Sequence, residues 1–114
     1  AEVPQLKTIG LHVFQTLESA GIQLLRAIAL YLGLDEYYFD KKVQTGNSIL
    51  RAIHYFPLDK EKVAPGSVRA GAHEDINLIT LLMGASADGL EILNKKQEWV
   101  AVTALPDQIV VNVG

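Results

Sequence analysis

One of the three histidines in this 114-residue chain, His73, stands two residues before an aspartate in the run Gly71-Ala72-His73-Glu74-Asp75. Residues two apart on an extended strand leave the same face, so the spacing predicts that His73 and Asp75 project together while Glu74 points the other way. An imidazole and a carboxylate on one face suit a metal ion. They are ligand types of the two-His-one-carboxylate facial triad, which holds iron(II) from one side and leaves the other positions open to substrate and dioxygen. A His-x-Asp triplet is a weak signal by itself, and a solvated pair at the start of a strand has the same spelling.

The other groups able to do chemistry read more plainly. His12 falls at the flank of a helical stripe and His54 has the opposite strand phase to Tyr55, so both are expected to be non-ligands. Tyr55 taken alone is a half-buried strand aromatic with a polar tip. Arg51 and Arg69 read as solvated or salt-bridged. Asn112 shares phase with Val110 and Gly114, which makes it a candidate to face a site, whereas Trp99 and the alternation Leu78, Thr80, Leu82 read as packing.

The elements that must position these residues follow from periodicity. Leu6, Ile9, Val13, Leu17, Ala20, Leu24, Ile28 and Tyr31 recur at threes and fours, which predicts an amphipathic helix over residues 4–32 with that stripe in the core. Pro4 suits its first turn and Gly33 the position just past its end, with Gly21 a candidate break. Asp35 can cap a second, short helix over residues 36–41, and residues 44–48 form a turn. After Ser48 the period changes to two. Strands are expected over residues 49–56, 68–73, 77–83, 90–93, 99–102 and 109–113, with a charged loop over 57–66 and turns at Gly89 and at Asn94-Lys95-Lys96-Gln97. Helices first and short strands afterwards make an α+β chain, with residues 1–47 as helical support and residues 48–114 carrying the chemistry inside one structural domain.

Bulk composition excludes several function classes. The chain is 49% hydrophobic and 20% charged, as in a globular protein, and its longest apolar stretch, residues 27–34, is far short of the roughly 20 needed to span a bilayer. Thirteen acidic and ten basic residues, net charge -3, form no basic stripe, so no nucleic-acid partner is expected. With no cysteine and no signal-peptide pattern at its start, a cytoplasmic location is expected. A start on Ala1 and an apolar close over residues 109–114 suggest a chain cut at both ends.

The surroundings of the His-x-Asp triplet lift its meaning. Residues 68–82, Val-Arg-Ala-Gly-Ala-His-Glu-Asp-Ile-Asn-Leu-Ile-Thr-Leu-Leu, then 89–93, 99–102 and 111–114 resemble, in order and spacing, the core of the isopenicillin N synthase-like oxygenases. Upstream, Ile49-Leu50-Arg51-Ala52-Ile53-His54-Tyr55-Phe56-Pro57 is similar to the family segment that precedes the catalytic core. The resemblance implies N-terminal helices followed by an incomplete double-stranded β-helix, a jelly-roll of the cupin-like kind. It implies Fe(II), 2-oxoglutarate as cosubstrate and dioxygen, with His73 and Asp75 as the first two iron ligands. Tyr55 becomes a hydrogen-bond donor to the 2-oxoglutarate carboxylate, although Ile53 stands where plant members carry Asn. The implied reaction is decarboxylation of 2-oxoglutarate coupled to hydroxylation or a related oxidation of a small molecule. Family members continue beyond the Gly114 position to a second iron-binding His and an Arg-x-Ser for the distal carboxylate, so this chain is expected to be a fragment inactive alone.

Two other readings stay open at this point. One is a non-catalytic truncated barrel or binding module, whose exposed strand edges would invite self-association. The other is a cupin-like zinc or manganese protein, since His and carboxylate ligands are not exclusive to iron. A structural zinc site would ask for four protein ligands, often cysteines, which the chain lacks.

Overall fold

The computed structural model describes residues 2–59, 62–84 and 89–114. They divide into two compact units, Ala1–Glu74 and Asp75–Gly114.

The first unit is built on α1, Leu6–Tyr31, a helix of 26 residues and about 39 Å at 1.5 Å per residue. It runs unbroken through Gly21, which is buried. Its C-terminus is closed by a Schellman motif: the Leu34 N–H donates to Ala29 O at 2.9 Å and the Gly33 N–H to Leu30 O at 3.0 Å. Gly33 sits at φ +71°, a left-handed conformation that costs a residue with a Cβ.

The buried row of α1 is Gly21, Leu25 and Ala29. The expected stripe lies beside it rather than on it, with Leu6, Ile9, Leu24 and Tyr31 exposed. Burial is decided by where the next segment folds back. The second helix, α2, is Asp40–Gln44, later than expected, because Asp35 Oδ1 accepts from the Tyr37 N–H at 2.9 Å and turns the chain over residues 36–39 first. Arg26 then ties α2 to α1: its Nη2 donates to Asp40 Oδ2 at 2.7 Å and its Nε to Oδ1 at 3.3 Å, with the guanidinium 4.8 Å from the centre of the Tyr37 ring.

Residues 49–56 and 68–73 do not form the expected strands. A period-two pattern specifies a face, but a strand also needs a neighbour whose backbone groups complete the ladder, and among the described residues these segments have none. Ile49, Ile53, Phe56 and Val68 are exposed. Of the loop over residues 57–66, Lys60 and Glu61 lie outside the described residues; Lys62 pairs with Asp59 at 2.8 Å.

The second unit holds four strands, β1 Ile79–Leu82, β2 Glu91–Leu93, β3 Trp99–Ala101 and β4 Val110–Val113, each within an expected range. They form two antiparallel pairs. In β1–β4, Ile79 faces Val113, Thr80 faces Asn112, Leu81 faces Val111 and Leu82 faces Val110; in β2–β3, Glu91 faces Ala101, Ile92 faces Val100 and Leu93 faces Trp99. The β2–β3 hairpin turns where the Asn94-Lys95-Lys96-Gln97 signal places it. Asn94 Oδ1 accepts from the backbone N–H groups of Lys96 at 2.8 Å and Glu98 at 3.0 Å, and Gln97 takes the left-handed position at φ 65°.

Candidate metal centre

Asp75 leads into a bend over residues 76–78 and then into β1. It is half-buried, while residues 71–74, 76 and 77 are exposed. Two short hydrogen bonds converge on one oxygen of its carboxylate: Oδ2 accepts from Thr80 Oγ1 at 2.6 Å and from Asn112 Nδ2 at 2.6 Å. The two donors are the directly opposed residues of the β1–β4 ladder, so the strand register brings a hydroxyl and an amide to the same point. The Thr80 hydroxyl in turn accepts from Asn77 Nδ2 at 2.9 Å, within the bend itself.

The end of β4 lies against the same bend. The Gly114 N–H reaches Leu78 O at 3.4 Å, and a Cβ on Gly114 would collide with the Asn77 carbonyl oxygen and come within 2.5 Å of that of Asp75. Glycine is the residue that permits this approach of backbone to backbone.

His73 is exposed and lies in no strand, so strand alternation does not set its direction; a local bond does. Its Nδ1 is 2.8 Å from Gly71 O. A carbonyl oxygen can only accept, so in this contact Nδ1 is the donor. A ligating histidine commonly has one nitrogen donating to a carbonyl and the other offered to the metal.

The remaining candidates fall into separate contacts. Tyr55 is exposed, with the Arg69 guanidinium 5.1 Å from its ring centre, and Arg69 Nη2 donates to Phe56 O at 3.3 Å. Arg69 is therefore stacked and bonded to backbone rather than simply solvated. The His54 ring meets Phe56 edge-on at 4.8 Å. His12 is exposed on α1. Among the described residues, no three His, Cys, Asp or Glu side chains are grouped as a metal-holding set. Thr80, read in the strand pattern as packing, also gives its hydroxyl to the Asp75 carboxylate. Asn112 had a signal in its phase; Thr80 had one only in lying five residues after the candidate aspartate.

By chemistry an imidazole, and a carboxylate already oriented by two donors, are each ligand types that a divalent iron accepts. The model of the 2OG-Fe(II) oxygenase superfamily matches residues 46–114, and the chain belongs to that family. It is 34% identical to the 2-oxoglutarate-Fe(II) type oxidoreductase ppzC of Metarhizium rileyi over 100% of this chain and 32% of that protein. It is 36% identical to the 2'-deoxymugineic-acid 2'-dioxygenase of Hordeum vulgare over 82% of this chain and 26% of that protein. A crystal structure assigned to the 2OG-Fe(II) oxygenase family, from Caulobacter crescentus, superposes with a TM-score of 0.84 at 41% identity, covering 99% of this chain and 35% of the other. The chain thus spans about a third of the length of the first of these relatives.

Proposed function

We propose that this chain serves a 2-oxoglutarate-dependent iron(II) oxygenase acting on a small molecule, with His73 and Asp75 as two of the iron ligands. The observation that carries the reading is the Asp75 carboxylate held by Thr80 and Asn112, in a chain that belongs to the 2OG-Fe(II) oxygenase family. Residues 48–114 would be part of a double-stranded β-helix core and residues 1–47 its helical support. When bound, iron(II) with 2-oxoglutarate and dioxygen supplies the oxidation: the cosubstrate becomes succinate and carbon dioxide, one oxygen atom entering the succinate and the other the hydroxylated product.

The chain's own share is ligation and orientation. His73 would offer its imidazole, the ring oriented by the contact of Nδ1 with Gly71 O. Asp75 offers negative charge from a half-buried position, where it is screened less than at the surface. Tyr55 would donate its phenolic O–H to a carboxylate of 2-oxoglutarate, its ring steadied by Arg69. The names of the Metarhizium and barley relatives support an oxidation of this class, and the barley name supports a small-molecule substrate.

The test is succinate release by the protein that carries this chain. His73→Ala and Asp75→Ala should each abolish it while leaving the far-UV circular dichroism unchanged. Turnover retained in both variants would remove these residues from the metal.

A further inference from the structure

Resting on the reading of Tyr55 as a donor to 2-oxoglutarate, we propose that Arg69 is a positioning residue. It fixes the Tyr55 ring against the stretch that leads to His73, and acts on the cosubstrate through Tyr55 without touching it.

Tyr55 has little else to aim it. It lies in residues 49–56, an extended segment that forms no ladder, and it is 52% exposed. Among the described residues no backbone hydrogen bond joins that segment to residues 68–73. An exposed phenol on an unpaired segment is free to turn among its rotamers, and freezing it when a ligand binds costs affinity. A phenol that is to meet a carboxylate without this cost must be held beforehand.

Arg69 makes both contacts that can hold it. Its guanidinium lies 5.1 Å from the centre of the Tyr55 ring, and its Nη2 donates to Phe56 O at 3.3 Å. One contact takes the face of the ring and the other the backbone one residue further on, so side chain and main chain are fixed to the same planar group. The His54 and Phe56 rings pair with each other edge-on at 4.8 Å, which leaves the Tyr55 ring to Arg69. A lysine could not serve in both places, because an ammonium is a point charge, whereas a guanidinium offers its face to a ring and N–H donors in its plane at once. The same two contacts close the loop over residues 57–68. Arg69 stands four residues before His73, so the clasp sets the phenol against the chain that carries a proposed metal ligand.

In the experiment Co(II) stands in for iron(II) in the protein that carries this chain, and isothermal titration measures 2-oxoglutarate binding to the Co(II)-loaded form. Arg69→Met keeps the length of the stem and removes the guanidinium. It is expected to weaken 2-oxoglutarate binding by about three- to tenfold, the scale of one exposed cation–π contact and one hydrogen bond, with Co(II) affinity at the parent value. Arg69→Lys should fall between the parent and Arg69→Met, and gives the reading independently should Arg69→Met fail to fold. The deciding measurement is the double-mutant cycle with Tyr55→Phe. In that background either Arg69 substitution should change 2-oxoglutarate affinity by less than about twofold, because the hydroxyl that Arg69 aims is gone; a merely structural role would weaken both backgrounds alike. Equal losses in both backgrounds, or parent affinity in either Arg69 variant, would overturn the positioning role and leave Tyr55 as the donor. Parent affinity in Tyr55→Phe alone would overturn the reading of Tyr55, and the role of Arg69 with it.

Discussion

Arg26 on α1 and Asp40 at the first residue of α2 are joined by two hydrogen bonds, and this fork is the side-chain tie between the two helices. The bond from Arg26 holds the Asp40 carboxyl below the usual carboxylate range, against a smaller opposing effect of desolvation. The same bond raises the Arg26 guanidinium.

Because Asp40 has a lowered pKa in the folded state, its contribution to stability is present above its unfolded value of about 3.9 and disappears as pH falls through the folded value. The α1–α2 pairing should therefore weaken on acidification below about pH 4, and Asp40→Asn should remove that part of the acid dependence. Thermal unfolding followed by circular dichroism between about pH 6 and pH 2 checks it. An acid limb identical in the parent and in Asp40→Asn would show that the fork contributes nothing in solution.

Gly33 closes α1 from a left-handed conformation that an L-residue reaches at a cost of roughly 1 to 2 kcal/mol. Gly33→Ala should destabilise the first unit by about that amount, and Gly33→Asn by less, since asparagine tolerates this region better. Denaturant titration of the helical signal measures both. Equal stability of glycine and alanine here would mean that the helix ends differently in solution.

The sequence made some of this legible, and its limits are physical. Gly33 and the Asn94 turn are local features, written in the residues that form them, and both are found where expected. The stripe on α1 is legible only as two adjacent rows, because threes and fours that run through Leu24 also pass beside Leu25. Which row is buried depends on the return of residues 35–44, a tertiary matter. The segment over 49–56 has strand patterning without a ladder, since pairing belongs to two segments and a pattern to one. His73 and Asp75 could be singled out by type and spacing. The role of Thr80 could not, because the phase of a strand names the face a hydroxyl takes and not the acceptor it will find there.

Tyr55 offers a way to separate a hydroxyl from its ring. Tyr55→Phe keeps the aromatic face over which Arg69 lies and deletes only the proposed donor to 2-oxoglutarate. A hydrogen bond to a charged acceptor is worth about 1.5 to 3 kcal/mol, so the affinity for 2-oxoglutarate should fall by about tenfold or more, with Co(II) affinity unchanged. Isothermal titration of the Co(II)-loaded protein reads this directly. An unaltered 2-oxoglutarate affinity would return Tyr55 to a packing role beside Arg69.

Gly114 tests the link between backbone packing and the hydrogen bonds that hold the Asp75 carboxylate. A methyl group there would run into the carbonyl oxygen of Asn77 and crowd that of Asp75, both backbone atoms with no side-chain freedom to yield. Gly114→Ala must therefore push the bend over residues 76–78 away from β4, lengthening the bonds from Thr80 and Asn112 to Asp75 Oδ2 or breaking one of them. Removing a charge-assisted bond while its partners stay half-buried costs about 1.5 to 3 kcal/mol. The expected outcome is a protein of lower thermal midpoint than its parent. Gly114→Ser should behave like the alanine variant, because the obstacle is the Cβ itself and not the polarity of the side chain it carries. A parent-like thermal midpoint in Gly114→Ala would show that the bend can move without loosening the bonds to the Asp75 carboxylate.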